Sequence, residues 1–236
     1  MELDRVLEYG AQHFLPNLSL DLVIIGFKDQ KLQCLLLQIG DKWVLPGGHI
    51  KVEESVETSV VRVLKERTSL EKPHFKFLQV FGDKDRSFGE EFKGFFEQKG
   101  IPWDKDHWLN QRFITLAYYS LVDMDQLDPK PGAFDDAVQW FDFDDLPAIG
   151  LDHEHIIRTA RNRLKDDIQR EQVTYNLLPS EFTMPQLHQL HETILADKLD
   201  RSRFQKKMLA SGHFERLPKI KKDSPGSNPY QYRVKL

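Results

Sequence analysis

The chain has 236 residues, 40% hydrophobic and 30% charged, with a formal net charge of −4. That is long enough for one large domain or two smaller ones with a real core, and the composition reads as soluble and globular. No apolar run approaches the length of a membrane span, so no membrane-spanning helix is expected.

Met1-Glu2-Leu3-Asp4 lacks the basic start and apolar core of a signal peptide, and the single cysteine, Cys34, sits in an apolar strand-like run. A cytoplasmic protein with a buried structural thiol is the expectation. The charge is unevenly spread: residues 181–236 carry eleven Lys and Arg against six Asp and Glu, a net +5, on a preceding body of −9. An acidic body with a basic tail points to a second module that meets a polyanion, most often nucleic acid.

In chain order, residues 1–19 form a short amphipathic stretch ending at Pro16-Asn17 and read as an N-terminal extension. Residues 20–27 and 32–38 are apolar runs separated by Lys28-Asp29-Gln30-Lys31, the pattern of a hairpin. Trp43-Val44-Leu45-Pro46 leads into Gly47-Gly48, where a tight turn is expected before a helix. Val56, Val60, Val61 and Leu64 form that helix's apolar stripe, and Glu53, Glu54 and Glu57 suit its first turn through the helix dipole.

Phe75–Phe81 alternates as a half-buried strand should, and Gly82 ends it. Residues 87–111 then carry Phe88, Phe92, Phe95, Phe96, Trp103 and Trp108. A connection this long is a lid or a contact surface, and packing of its aromatics on the core is preferred to stacking on a ligand base. Residues 112–122 and 137–141 resume the strand pattern, and from Asp152 the period turns helical, with Ile156, Ile157, Ala160, Leu164 and Ile168 on one stripe. His153 and His155 diverge on a helix, so they read as polar residues of its N-terminus rather than as metal ligands.

The composition changes at Tyr175-Asn176-Leu177-Leu178-Pro179. Thr183 is the expected N-cap of a helix with Leu187, Leu190, His191 and Ile194 on one face, and Asp200 that of a second helix ended by Gly212. Phe204, Met208 and Leu209 are its expected buried side. Two helices about a tight turn, the second bearing Arg203, Lys206 and Lys207, describe a helix-turn-helix. Residues 214–217 and 230–234 flank a basic loop containing Gly and Pro, which reads as the wing of a winged helix.

Arg201, Ser202, Arg203, Gln205, Lys206, Lys207, Lys219, Lys221 and Lys222 are therefore the expected contacts to a double-stranded DNA operator. The basic groups would neutralise phosphates, while Ser202, Arg203 and Gln205 can read base edges. A solvated charged face on a protein-protein module is the competing reading. The concentration of cations on these two elements favours DNA.

The stretch from Gly48 to Leu70 resembles a damaged Nudix box. Gly48, Glu54, Arg62, Leu64, Glu66 and Leu70 match the family's pattern in register, whereas Val63 and Arg67 replace two of the three helix glutamates and Ser69 replaces the last Gly. Carboxylates at 63, 66 and 67 would converge on one helix face and hold hard divalent cations for diphosphate hydrolysis. Only Glu66 remains, so metal ligation is expected to be lost. Mg²⁺ is expected only with residual hydrolase activity, and no cofactor otherwise.

With the Gly82-x-x-Asp85-Arg86 stretch and the Asn-Leu-Leu-Pro linker, the chain resembles the Nudix-related bacterial transcription regulators. That resemblance implies an α+β protein: a Nudix α/β/α sandwich with a mixed sheet over residues 1–172, then a winged helix-turn-helix over 173–236. It implies a homodimeric regulator, a repressor, sensing a pentose or an ADP-ribose-like compound through Gln38, Trp43, Gly47, Gly48, His49, Asp85 and Arg86. An active Nudix hydrolase with Glu66 and Glu54 as catalytic carboxylates, aided by Glu53 or Glu90, is the alternative. A Nudix-fold interaction adaptor is the third reading.

Overall fold

The computed structural model describes residues 3–70, 73–101, 104–132, 134–170, 174–219 and 228–235. The first helix, α1 (Leu3–His13), runs straight into a long strand, β1 (Phe14–Lys28). Pro16 and Asn17 therefore lie inside a strand and do not close a separate extension. The register of β1 against its neighbour shifts between Phe14 and Ser19, and Asn17 takes φ 60° there. Such a bulge is where a strand tolerates proline.

β2 (Lys31–Ile39) returns antiparallel through a two-residue turn with Asp29 and Gln30 both at positive φ, the twist that suits a tight hairpin. β3 (Lys42–Val44) and β4 (Gly47–Lys51) follow. Gly47 and Gly48 do not make the expected tight turn; both lie in β4, paired with Asp21 and Leu20 of β1. Close approach is what requires them. A Cβ on Gly47 would stand 2.6 Å from the Leu20 carbonyl oxygen, and one on Gly48 would stand 2.9 Å from Val63 Cγ2.

The helix after β4 is α2 (Val56–Thr68), whose N-cap is Ser55, the side chain accepting from the Thr58 N–H. Of the three acids expected in its first turn only Glu57 is there; Glu53 and Glu54 precede the cap. Its packed stripe is Val60, Val63 and Leu64, with Val56 partly buried beside them. β5 (Phe75–Phe81) does not alternate cleanly, because its register on the next strand shifts between Phe77 and Gln79. Phe77 and Val80 are left exposed.

The long connection folds as α3 (Phe88–Gln98) and a short 3-10 turn at Trp108–Asn110. Phe92, Phe95 and Phe96 are buried against Leu37, Ile39 and Val44, so this helix packs on the core as expected. Trp103 and the Phe88 side chain lie outside the described residues. Trp108 donates from Nε1 to the Leu7 carbonyl at 3.4 Å, which ties the connection to α1.

β6 (Ile114–Leu121), β7 (Ala137–Asp142) and α4 (His153–Arg170) complete the body. The sheet runs β3-β2-β1-β6-β5, with β4 pairing on β1 and β7 on β2; β1 and β6 are parallel and the remaining pairs antiparallel. α2 covers one face over Leu20, Leu22 and Ile24, while α4 covers the other over Val23, Ile25 and Cys34. This is an α/β/α sandwich on a mixed sheet. The alternation of side chains along β1 sends odd and even residues to the two helices. Cys34 is fully buried, and burial pushes its thiol pKa up, so it is packing rather than chemistry.

β8 (Phe182–Thr183), α5 (Met184–Leu195), α6 (Arg201–Ala210), β9 (Phe214–Lys219) and β10 (Tyr230–Val234) form the C-terminal module, a three-stranded sheet in the order β8-β10-β9 beside a helix pair. Both predicted caps are present. Thr183 and Gln186 make a reciprocal capping box on α5, and the Asp200 side chain accepts from the Arg203 N–H at 2.7 Å. The apolar stripe of α4 continues without a break into Leu187, Leu190 and Phe204 of this module.

Candidate ligand cavity and nucleic-acid interface

On α2 the departures from the Nudix pattern have structural consequences. Val63 is buried under Gly48 and belongs to the core. Arg67 forms an ion pair with Asp135, which also accepts from the Gly132 N–H at 2.7 Å. Glu54 receives Arg62 Nε at 2.9 Å and the Ser59 hydroxyl at 2.8 Å. The Arg62 hydrogen bonds outweigh burial and, with Ser59, hold the Glu54 carboxyl down to about 2. Arg62 also donates to the His49 carbonyl at 2.9 Å, joining α2 to β4.

Glu66 is more than half exposed, with Arg62 at 3.5 Å. Glu53 is exposed, and the Glu90 side chain lies outside the described residues. Among the described residues no three His, Cys, Asp or Glu groups converge as a metal cluster would need. The donor set does not fit the carboxylate cluster of the Nudix pattern: one of its positions is filled by packed hydrocarbon and another by a cation already paired.

Beside this helix lies a cavity of about 700 Å³. Gly47, Gly48 and His49 of β4 line it, as do Ser19 and Asp21 of β1. Arg86 comes from the loop after β5, and His153 from the first turn of α4. Arg86 donates from Nε to both Asp152 oxygens at 3.1 Å and from Nη2 to Asp21. His153 Nδ1 accepts the Leu45 N–H at 2.9 Å, which places the ring proton on Nε2. Burial alone would raise the Asp21 carboxyl, but His153 and Arg86 hold it well below the usual carboxylate range. His49 lies among Phe14, Trp108 and Phe113 at ring distances of 4.9–5.3 Å, and burial pushes it down to about 4.

Of the residues expected at a ligand cleft, Gly47, Gly48, His49 and Arg86 line the cavity and three do not. Gln38 turns back to the Gly40 carbonyl at 3.1 Å, Trp43 packs edge-on against Phe141 at 4.6 Å, and Asp85 is an exposed turn residue. Ser19, Asp21, Asp135 and His153 were missed. Asp21 carried a visible signal, being a lone acid within the apolar run 20–27, which can be buried only with a cation to meet it. A second cavity, of about 380 Å³, lies where the Asp29-Gln30 turn meets α5, and no expected site residue lines it.

On the C-terminal module, Arg201, Ser202, Arg203, Gln205, Lys206 and Lys207 are all exposed on α6, with Phe204 and Met208 buried behind them. Leu209 does not join the buried side and is 44% exposed. It falls one residue past Met208, about 100° further around the helix. Among the described residues, Arg201, Arg203, Lys206 and Lys207 make no ion pair, whereas Arg233 is held by Glu215 at 2.8 Å. Lys219 is exposed at the end of β9, its ammonium 5.0 Å from the Tyr230 ring. Lys221 and Lys222 lie outside the described residues.

A Nudix-type sandwich with a ligand-sized cavity is thus joined to a winged helix whose basic helix makes no ion pair among the described residues. Residues 18–160 match the NUDIX domain model and residues 174–234 match the NrtR DNA-binding winged helix domain model. The chain belongs to the NUDIX family.

It is 23% identical over 231 residues to the ADPR responsive transcriptional repressor NtrR of Acinetobacter baylyi, covering 94% of this chain and 83% of that protein. It is also 30% identical over 118 residues to the ADP-ribose pyrophosphatase of Methanocaldococcus jannaschii, covering 49% of this chain and 55% of that enzyme. The fold matches Shewanella oneidensis NrtR, crystallised with a 27mer DNA, at a TM-score of 0.72 and 24% identity over 92% of this chain and 93% of that one. Among the described residues no helix is long and apolar enough to cross a membrane.

Proposed function

We propose that this protein is a DNA-binding transcriptional repressor whose Nudix domain has become a sensor of an ADP-ribose-like metabolite. The observation that carries this reading is the state of α2: two positions that would be carboxylates hold the buried Val63 and the paired Arg67, on a chain whose α6 offers cations without an ion pair among the described residues. Likeness along nearly the whole chain to an ADPR responsive repressor supports the choice of effector. A free pentose, which shares the ribose hydroxyls but lacks the adenosine and the diphosphate, is the other effector class. Homodimerisation follows from the same reading, because paired winged helices suit palindromic operators, and such a regulator works in the cytoplasm. The test is binding of the purified chain to its upstream DNA with and without ADP-ribose, ribose and arabinose. Binding that no compound changes contradicts the sensor role.

The hydrolase reading retains one specific support: Glu66 lines the cavity, and part of the body is 30% identical to an ADP-ribose pyrophosphatase. Steady Mg²⁺-dependent hydrolysis of ADP-ribose, abolished by Glu66→Gln, establishes that reading in place of a purely sensory domain. No turnover above the background rate removes it.

A further inference from the structure

Helix α1 is seated on the long connection between β5 and β6. Among the described residues its buried face is narrow: Val6 and Gly10 are buried, Leu7 is half-buried, and the other side chains as far as His13 are exposed. Leu7 packs against the Phe92, Phe95 and Phe96 cluster of α3. Its carbonyl accepts two hydrogen bonds from the same connection, from His107 Nε2 at 2.9 Å and from Trp108 Nε1 at 3.4 Å. His107 Nδ1 accepts the Leu109 N–H at 3.3 Å, which leaves the donor proton on Nε2.

The Trp108 ring fills a notch at Gly10. A Cβ there would stand 2.6 Å from Trp108 Cε2, so no larger residue fits while the ring is in place. Glycine inside a helix weakens it relative to alanine, and a helix as short as α1 is marginal in water on its own. The seat holds α1, not its intrinsic propensity. Elements with so few buried contacts open locally, well below the free energy of global unfolding.

The far end of the helix is a pivot. α1 passes directly into β1, where the His13 carbonyl accepts the Val52 N–H at 3.0 Å and Phe14 pairs with Lys51. Release of Trp108 therefore frees α1 while its junction with β1 stays pinned to β4. The cavity wall belongs to the same assembly: Val6 of α1 and Leu109, the neighbour of Trp108, both line it. Trp108 itself stands edge-on to His49 at 4.9 Å and stacks on Phe14 at 5.9 Å, and both of those residues also line the cavity. Val6 and Leu109 are buried, so the wall is shut on this side.

We propose that α1 is a hinged cover over the cavity, latched by Trp108 in the Gly10 notch, and that a small molecule enters and leaves the cavity by release of this latch. The proposal rests on the reading that the cavity takes an effector. It gives the long connection a function, that of carrying the latch.

The test is hydrogen exchange of the full chain, read by mass spectrometry, together with stopped-flow binding of ADP-ribose, in the wild type, Gly10→Ala and Trp108→Ala. In the wild type the α1 amides are expected to exchange at least about tenfold faster than those of residues 19–25 in β1, and about tenfold faster again in either variant. Gly10→Ala separates the latch from helix propensity, because alanine by itself would slow exchange in α1 whereas a blocked notch speeds it. Since it adds a single methyl group, it also carries the test if Trp108→Ala folds poorly. In both variants the association and dissociation rates of ADP-ribose should rise together, by at least about threefold, with Kd changed by less than about twofold.

Exchange in α1 no faster than in β1, or slower exchange in Gly10→Ala, overturns the cover. Unchanged ADP-ribose rates, or affinity lost through dissociation alone, make α1 a fixed wall and overturn the cover while leaving the effector site standing. A wild type that binds no ADP-ribose overturns the effector reading, and the exchange results then decide the cover by themselves.

Discussion

Arg67 and Asp135 form an ion pair on the wall of the cavity, with side-chain exposures of 18% and 2%, so the residue that replaces a Nudix carboxylate anchors the loop before β7. Removing the cation strands a buried carboxylate, whereas neutralising the acid leaves a partly hydrated guanidinium. Arg67→Met is therefore expected to cost about 3 kcal/mol and Asp135→Asn distinctly less. Urea unfolding midpoints give both values, and equal or negligible effects would show that the pair does not hold the loop.

Ser69 caps α2 at φ 63°, in the left-handed region, at the position where the Nudix pattern has glycine. The conformational demand has outlasted the residue that met it. Ser69→Gly should stabilise the protein by roughly 0.5–1 kcal/mol. A thermal melt that moves downward instead would mean that the serine side chain makes a compensating contact.

Lys206 and Lys207 on α6 are exposed and unpaired among the described residues, which suits phosphate contact. Each Lys→Ala change should weaken binding to all DNA sequences alike and lower the slope of log K against log salt by about 0.9. Arg203→Ala should in addition flatten preference among operator variants by about 1–3 kcal/mol, if the guanidinium reads a base edge. Competition assays on mutated operators separate the two behaviours.

His191 is buried in the winged helix, and burial, reinforced by nearby Lys207 and His188, lowers its pKa from 6.5 to about 4. Below pH 6.5 the unfolded chain takes up a proton that the folded chain refuses until near pH 4, so stability is full above 6.5 and falls through that window. His49, also held at about 4, adds a parallel loss in the Nudix body. His191→Leu should remove up to about 3 kcal/mol of the stability lost between pH 7 and pH 4. Denaturant titrations of both proteins at several pH values measure it, and identical pH profiles would refute the assignment.

Local signals in the sequence located most of the fold. The Asp29-Gln30 turn, the α4 stripe from Ile156 to Ile168 and the caps at Thr183 and Asp200 each depend on neighbours within a few residues, and each is where expected. The errors came where distant chain decides the outcome. Val63 was legible as a replaced carboxylate, but its packing against Gly48 of β4 was not. Phe77 breaks the alternation of β5 because its partner strand shifts register there.

The cavity was legible only in part for the same reason. Gly47, Gly48, His49 and Arg86 belong to recognisable motifs, while Ser19, Asp21, Asp135 and His153 are brought together by strand pairing and by the docking of α4. His153 does begin a helix, as read, but its ring is turned inward onto Leu45 and Asp21.

The most direct test of the sensor reading is fluorescence anisotropy of labelled upstream DNA across a salt series, with and without ADP-ribose. The account predicts sequence-preferring binding whose affinity falls steeply with salt and shifts at least tenfold when ADP-ribose is added. Absence of DNA binding even at low salt, or binding indifferent to both ADP-ribose and pentoses, would contradict it.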